Sequence, residues 1–331
     1  MRSPVHLITG GAGFIGSNLA RTLIAQGKPV WLVDDLSRGS IGFIEDMLDD
    51  PLVQFSQLDC ADGRAVAAAA TSVGAQVSDI WHMAANSDIP AGVEDPAIDL
   101  NRTFLTTVGA LETARILKSG VFHFASSSAI YGDFGDDAIA EDSGPLQPVS
   151  NYGAMKLASE AQISAAVEAF LPRSEVFRFP NVIGFPSTHG VIHDFVRKLA
   201  ATPDELQVLG DGNQRKPYLH VSDLVGAMLH IGRIEGRRVL FNIGPTDDGV
   251  TVRHIAETVR DHVAPAARIV FGASDRGWVG DVPRFRYSTE RLAATGWRPL
   301  LSSSDAIARA VVEIAGQSAD SGASLVSSVE S

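Results

Sequence analysis

The stretch "VHLITGGAGFIGSNLARTLIAQG", residues 5–27, changes its hydrophobic period in the middle. "VHLIT" (5–9) is a short apolar run and reads as a buried strand, whereas "FIGSNLARTLIAQG" (14–27) has helical spacing. Between them Gly10, Gly13 and Gly16 are spaced G-x-x-G-x-x-G, and Gly11, Gly13 and Gly16 also satisfy G-x-G-x-x-G. A glycine loop alone is weak evidence. A loop that leaves a strand and opens an amphipathic helix is different, because its amides and the helix dipole together suit a pyrophosphate that the glycines let approach the backbone. Asp34 ends the next apolar run, "PVWLV" (29–33), 18 residues after Gly16. A carboxylate there can accept both hydroxyls of a ribose and repels a 2′-phosphate, so NAD is favoured over NADP; Arg38 weakens that preference slightly.

Working outward, the same alternation repeats. "VQFSQL" (53–58), "VSDIWHMA" (77–84), "VFHFAS" (121–126) and "SEVFRF" (174–179) read as further buried strands, with "GRAVAAAATSVG" (63–74) and "LTTVGALETARILKSG" (105–120) as helices between them. Repeated strand–helix–strand units imply an α/β, doubly wound parallel sheet, a Rossmann fold, with helices on both faces. After about residue 180 the order loosens, although "GVIHDFVRKLAA" (190–201) and "VRHIAETVRDHV" (252–263) keep helical spacing. The expected division is an NAD-binding domain over 1–180 and a smaller α/β lobe over 181–315, with some chain returning to the first domain. The Ser/Gly-rich tail 316–331 is expected to be disordered.

Composition narrows the function classes. The 331 residues are 45% hydrophobic and 20% charged, ordinary for a soluble globular protein. A formal charge of −12 without a basic cluster longer than a pair argues against nucleic acid or an anionic membrane as partner. Cys60 is the only cysteine, so no intrachain disulfide exists and a reducing cytoplasm is expected; Cys60 itself reads as a small buried hydrophobe. No stretch of 18 apolar residues occurs and no export signal is indicated. No metal-ligand pattern is seen.

In "SNYGAMKL" (150–157) Tyr152 and Lys156 stand four apart, on one face if the segment is helical. An ammonium beside a phenol favours the phenolate, which would make Tyr152 a base near neutral pH. Behind the glycine fingerprint this pair resembles the extended short-chain dehydrogenase/reductase family, and within it the nucleotide-sugar 4-epimerases of the UDP-glucose 4-epimerase type. The resemblance spans about residues 4 to 312 and rests on "TGGAGFIGS", "VDDLS", "LDCAD", "HMAAN", "FASSSAIYGD", "NYGAMK", "FRFPNVIG", "GDGNQRKPYLHVSD" and "GWVGDVP", in that order.

Carried over by position, the resemblance implies that Gly10, Gly13, Phe14, Ile15 and Gly16 hold the pyrophosphate and that Asp34 and Asp35 hold the adenosine ribose. Asp59 and Cys60 would edge the adenine, and Met83, Ala84 and Ala85 would line the cofactor. Lys156 would bind the nicotinamide ribose and polarise Tyr152, and Ser127, four before the tyrosine of "YG", would hydrogen-bond the sugar O4. Ser126 and Ser128 read as strand-end packing. On the substrate side the resemblance implies Ser87, Asn181, Val191, the edge Gln207–Val208–Leu209, Lys216 with Arg215 beside it, Tyr218 and Asp281. The usual arginine three before Asp281 is Trp278 here, which leaves Arg276 as the candidate second phosphate contact; Thr103 replaces a common cofactor-side asparagine. His82 and His220 read as structural histidines.

The activity so implied is inversion of C4 of a nucleoside-diphosphate hexose through a transient 4-keto sugar, with tightly bound NAD and a homodimer built on two helices per subunit, about 96–118 and 150–170. A 4,6-dehydratase would carry an Asp-Glu pair directly after the catalytic Ser/Thr, and a uronic acid decarboxylase a glutamate at the second of those positions; here they are Ser128 and Ala129. A non-catalytic NAD-binding sensor on the same fold is the alternative from another class. Retention of Ser127, Tyr152 and Lys156 together opposes it. Phe285, four after Asp281, would favour a hydroxyl over an N-acetyl group at C2.

Overall fold

A computed structural model describes residues 4–135, 137–274 and 286–327. Seven strands, β1 (Val5–Thr9), β2 (Val30–Asp34), β3 (Val53–Gln57), β4 (Val77–His82), β5 (Val121–Ala125), β6 (Arg173–Arg178) and β7 (Arg238–Asn242), form one sheet in the order β7-β6-β5-β4-β1-β2-β3. Every neighbouring pair is parallel. The inner strands are buried on both faces, which is why they read as apolar runs: Leu7, Ile8, Trp31, Leu32, Ile80, Phe122 and Phe124 are all inaccessible to solvent. Because β1 pairs with both β2 and β4, the winding reverses there, and the loops leaving β1 and β4 open at the switch point where such sheets take ligands.

The helices α1 (Phe14–Ala25), α2 (Gly63–Ser72), α3 (Leu105–Leu117) and α4 (Asn151–Ala169) belong to the same unit. Val66 and Ala70 of α2, Ala110 and Ala114 of α3, and Ile163 and Val167 of α4 share one apolar core with the sheet. This unit comprises Met1–Asp133, Glu141–Phe179 and Val225–Ile243. The returning segment supplies β7, an edge strand that the sequence pattern did not single out.

The second unit comprises Phe134–Ala140, Pro180–Leu224 and Gly244–Ser331. Its helices α5 (Val191–Ala201), α6 (Val252–Val263) and α7 (Ser303–Ser327) meet in a core of Ile192, Phe195, Leu199, Ile255, Val259, Ile307 and Val311. Four two-stranded ladders complete it among the described residues. The backbone of 316–327 continues α7, where composition predicts disorder; the buried face through Ile314 nucleates a helix that propagates into the Ser/Gly-rich sequence. Residues 328–331 lie outside the described residues. Among the described residues no helix is long and apolar enough to cross a membrane.

Candidate active site

The loop after β1 turns so tightly that side chains are excluded from it. Gly10 has φ +68°, and a Cβ there would come within 2.8 Å of the Ala84 amide nitrogen in the loop after β4. A Cβ on Gly16 would lie 2.1 Å from the Gly10 carbonyl oxygen, so α1 can start this close to β1 only through glycine. Gly13 caps α1 without a side-chain hydrogen bond, and the half-buried Phe14 and Ile15 follow it in the first turn. That is the arrangement a dinucleotide pyrophosphate needs: a helix start with no side chain across it.

Asp34, at the end of β2, is held beside this loop. One carboxylate oxygen accepts the Ala12 amide at 3.0 Å and the other the Leu36 amide at 2.8 Å. Burial pushes its carboxyl above the ordinary range, and the two amides counter that shift. Asp35 is exposed and accepts the Ser37 amide, and Arg38 is paired with Asp88 at 3.2 Å. Asp59 is exposed and accepts the Ala61 amide, whereas Cys60 is buried in the sheet core, where desolvation pushes its thiol up.

Met83, Ala84, Ala85 and the exposed Ser87 follow β4. This loop is tied down from below: the Met83 amide donates to the Thr9 carbonyl, and the Asn86 amide to the Thr103 hydroxyl at 3.1 Å. His82 is fully buried between the hydroxyls of Thr9 at 2.7 Å and Thr107 at 3.0 Å. Burial pushes it down to about 3, so it stays neutral and is structural.

Tyr152, Lys156 and Ser127 are brought together by α4. The Ser150 hydroxyl caps this helix by accepting the Gly153 amide at 3.1 Å, which places Tyr152 in the first turn and Lys156 one turn on. A Cβ on Gly153 would lie 2.3 Å from the Ala129 carbonyl oxygen, so glycine lets the helix approach the segment after β5 that carries Ser127. Ser127 pulls the Tyr152 phenol down, and its Oγ accepts the Ala129 amide at 3.1 Å. Ser126 and Ser128 donate their amides to the Phe177 and Phe179 carbonyls, as strand-end serines should.

The electrostatics differ from the sequence expectation. Burial pushes the Tyr152 phenol up to about 12, with the Ser127 hydrogen bond opposing and the Asp99 carboxylate reinforcing the rise. Lys156 is 1% exposed and is pushed down to about 7 by desolvation, against the pull of Glu160 and Asp99. Its Nζ donates to the Ala125 carbonyl at 2.6 Å and lies 5.8 Å from the Tyr152 ring centroid. The expected depression of the phenol by the ammonium is not among the influences on Tyr152, where desolvation dominates.

The other candidates lie in the second unit. Asn181 and Tyr218 are register partners in a parallel ladder, with Asn181 exposed and Tyr218 buried. Lys216 pairs with Val250 across a short antiparallel ladder, and Arg215 donates to the Gly249 carbonyl at 2.7 Å. Gln207 and Val208 lie on a strand paired with Arg268–Phe271, the Gln207 carbonyl accepts Lys198 Nζ at 3.2 Å, and Leu209 is 68% exposed. Val191 opens α5 behind Gly190, which has φ +102°. His220 is buried, bonded to the Ser222 hydroxyl at 2.8 Å and to Glu313 at 3.1 Å, a structural arrangement. Arg276, Trp278, Asp281 and Phe285 lie outside the described residues.

Two groups beneath Tyr152 and Lys156 were not read from sequence. Glu160 and Arg178 form a buried two-pronged ion pair, with Nη2–Oε2 at 2.7 Å and Nε–Oε1 at 3.0 Å; the Ser126 hydroxyl donates to the same carboxylate. Arg178 also donates to the Tyr131 hydroxyl at 2.9 Å, which in turn donates to Asn242 at 2.7 Å. Glu160, four after Lys156, continues the helical spacing of that pair and could have been found that way. Asp99 carried no such signal.

The model of the NAD dependent epimerase/dehydratase family matches residues 6–244. The UDP-glucose 4-epimerase of Azospirillum brasilense is 31% identical, with 94% of this chain and 91% of that protein covered. The UDP-glucose 4-epimerase of Mycolicibacterium smegmatis is 30% identical, with 92% and 96% covered. The crystal structure of Thermus thermophilus UDP-glucose 4-epimerase in complex with NAD superposes with a TM-score of 0.82 at 28% identity, covering 94% of this chain and 99% of that one. The cofactor is NAD, and the glycine loop and Asp34 are the residues suited to hold it.

Proposed function

Because the chain belongs to the NAD dependent epimerase/dehydratase family, we propose that it inverts C4 of a nucleoside-diphosphate hexose, with UDP-glucose and UDP-galactose as the expected pair. The observation that carries this reading is Tyr152 and Lys156 one helical turn apart on α4, with Ser127 acting on the Tyr152 phenol and followed by Ser128 and Ala129. A proton acceptor for a secondary alcohol is supplied. No acid–base pair for elimination of water stands after Ser127.

In this reading Tyr152 Oη takes the proton of the C4 hydroxyl, Ser127 Oγ hydrogen-bonds the same oxygen, and Lys156 keeps positive charge behind the phenol. Bound NAD supplies the acceptor for the C4 hydride and its return. Inversion then requires the keto sugar to present its other face before the proton and hydride come back, so the protein's contribution is positioning and proton transfer. Binding of the nucleotide part is assigned to the second unit, through Asn181, Val191, the Gln207–Leu209 edge, Lys216 and Tyr218, with Arg276 and Asp281.

A panel of UDP-, GDP- and dTDP-hexoses with bound NAD, followed by the anomeric and H4 proton NMR signals, tests this. Interconversion of a C4 pair without accumulation of NADH supports it and names the sugar. A 4-keto-6-deoxy or decarboxylated product replaces it, and silence across the panel with NAD bound returns weight to a non-catalytic NAD-binding role.

The proposed partner is a second copy of the chain. Val108 and Leu111 of α3 and Ala165, Ala169 and Phe170 on and after α4 line one apolar groove. On the same helix, α3, Leu105 is 39% exposed and Ile116 41%, which supports burial of this face against a second copy. Light scattering should give twice the 35.0 kDa chain mass, and Val108→Asp should give a monomer. A monomeric wild-type protein would remove the proposal.

A further inference from the structure

α7 begins well past residue 244, where the family match ends, and the proposed reaction gives it no role. Its polar side chains nevertheless reach the backbone of the second unit at three places. Near the start of the helix the fully buried Ser303 hydroxyl accepts the Tyr218 amide at 3.3 Å. About three turns on, Glu313 Oε2 accepts the Phe185 amide at 3.2 Å. Gln317 follows four residues later and so lies on the same face. Its Oε1 accepts the Ser187 amide at 2.9 Å and its Nε2 donates to the Ser187 carbonyl at 3.1 Å, so one side-chain amide satisfies both backbone groups of that residue.

The segment held in this way joins the residues assigned to the nucleotide. Asn181 and Tyr218 pair at one end of two short parallel strands, and Ile183 and His220 pair at the other. The Ser222 amide donates to His220 Nδ1 at 3.2 Å, which leaves the ring proton on Nε2, and Nε2 donates to Glu313 Oε2 at 3.1 Å. The other carboxylate oxygen, Oε1, accepts Arg309 Nε at 2.8 Å. Gly184, the next residue after Ile183, has φ +139°, and a Cβ there would lie 2.9 Å from Val221 Cγ1 and 3.2 Å from His220 Nε2. The chain passes this junction only as glycine. Between Ile183 and Val191 it has no regular secondary structure, so side-chain bonds to its amides set its path.

We propose that Glu313 and Gln317 are positioning residues for nucleotide binding: from α7 they fix the path of the chain from Asn181 to Val191, and through it the fit of the second unit to a nucleoside diphosphate. The inference rests on the proposed role of Asn181, Val191 and Tyr218 in holding the nucleotide. Neither Glu313 nor Gln317 takes part in the proton transfer, so their loss should weaken binding and leave the chemistry alone.

Titration calorimetry of the NAD-loaded protein with UDP, GDP and dTDP tests this. In Gln317→Ala, which removes both bonds to Ser187, the Kd of the nucleotide that the wild-type protein binds should rise about tenfold. Glu313→Ala should act in the same direction, whereas Glu313→Gln keeps an acceptor for the Phe185 amide and should stay within about threefold of wild type. NAD content and thermal midpoint should hold in all three, and KM for the sugar nucleotide should rise with kcat kept. Unchanged Kd in both alanine variants overturns the inference. So does a loss of affinity that comes with loss of NAD, or one that Glu313→Gln shares, since either marks a merely structural role. Should Gln317→Ala fail to fold, the two Glu313 variants decide by the same criteria. A wild-type protein that binds none of the three nucleotides overturns the inference together with the assignment of the second unit. Nucleotide binding with the expected variant effects, beside silence in the sugar panel, upholds the inference and removes the epimerase reading alone.

Discussion

Exchanging Tyr152 for phenylalanine is expected to lower interconversion of the C4 pair by about 10²–10⁴-fold, the usual worth of a positioned proton acceptor. The ring and its packing are kept and only the oxygen is lost, so α4, Lys156 and the Ser127 segment should stay where they are. The loss should therefore fall on kcat with KM changed little, and the variant should still hold NAD, because the glycine loop and Asp34 do not involve the phenol. Turnover measured by H4 NMR, beside the NAD content of the purified protein, separates these effects. Activity within tenfold of wild type would assign the proton transfer to another group.

The size of that effect also bears on how the phenol becomes a base. Burial pushes the phenol up to about 12 and Lys156 down to about 7, so desolvation opposes both the ionised Tyr152 and the protonated Lys156. Rising pH removes the ammonium before it removes the phenolic proton. Added positive charge beside Tyr152 lowers the phenol, and the phenolate so formed in turn favours the protonated Lys156, against the direct repulsion between the two cations. A tightly held cationic cofactor fits that requirement better than a simple tyrosine–lysine pair does.

The first domain was legible because each element repeats a local rule. Buried parallel strands give continuous apolar runs, and the glycine loop, Asp34 and the Tyr152–Lys156 spacing are all set by backbone geometry within a few residues. The strands ended one or two residues before the apolar runs did, at Gln57, His82, Ala125 and Arg178. β7 was missed because "RVLFN" lies far along the chain, among segments of the second unit, and nothing local states that it returns to the sheet. The electrostatics were the least legible. Spacing alone says that an ammonium can face a phenol; it does not say that both are desolvated, nor that Asp99, more than fifty residues away, is buried where its charge reaches them.

Removing the charge of Arg178 while keeping its length, as in Arg178→Met, is expected to be the most destabilising single change, at about 3–5 kcal/mol. The side chains of Arg178 and Glu160 are 6% and 9% exposed, so the variant strands a carboxylate with, among the described residues, only the Ser126 hydroxyl hydrogen-bonded to it. Tyr131 also loses a donor, although its own bond to Asn242 remains, and so does the Glu141 carbonyl that Arg178 Nη1 reaches at 3.0 Å. Adding Glu160→Gln should recover part of the loss, because no buried charge is then left unpaired. Urea denaturation of the two single variants and the double variant measures the coupling. The sign of the coupling is the decisive quantity: a double variant less stable than Arg178→Met alone would mean that shape, and not charge, holds the strand end beneath Ser127. A double variant that recovers stability but not turnover would place the network in the alignment of the Ser127 segment as well, since Ser126 and Tyr131 flank that serine and both are held by the same two side chains.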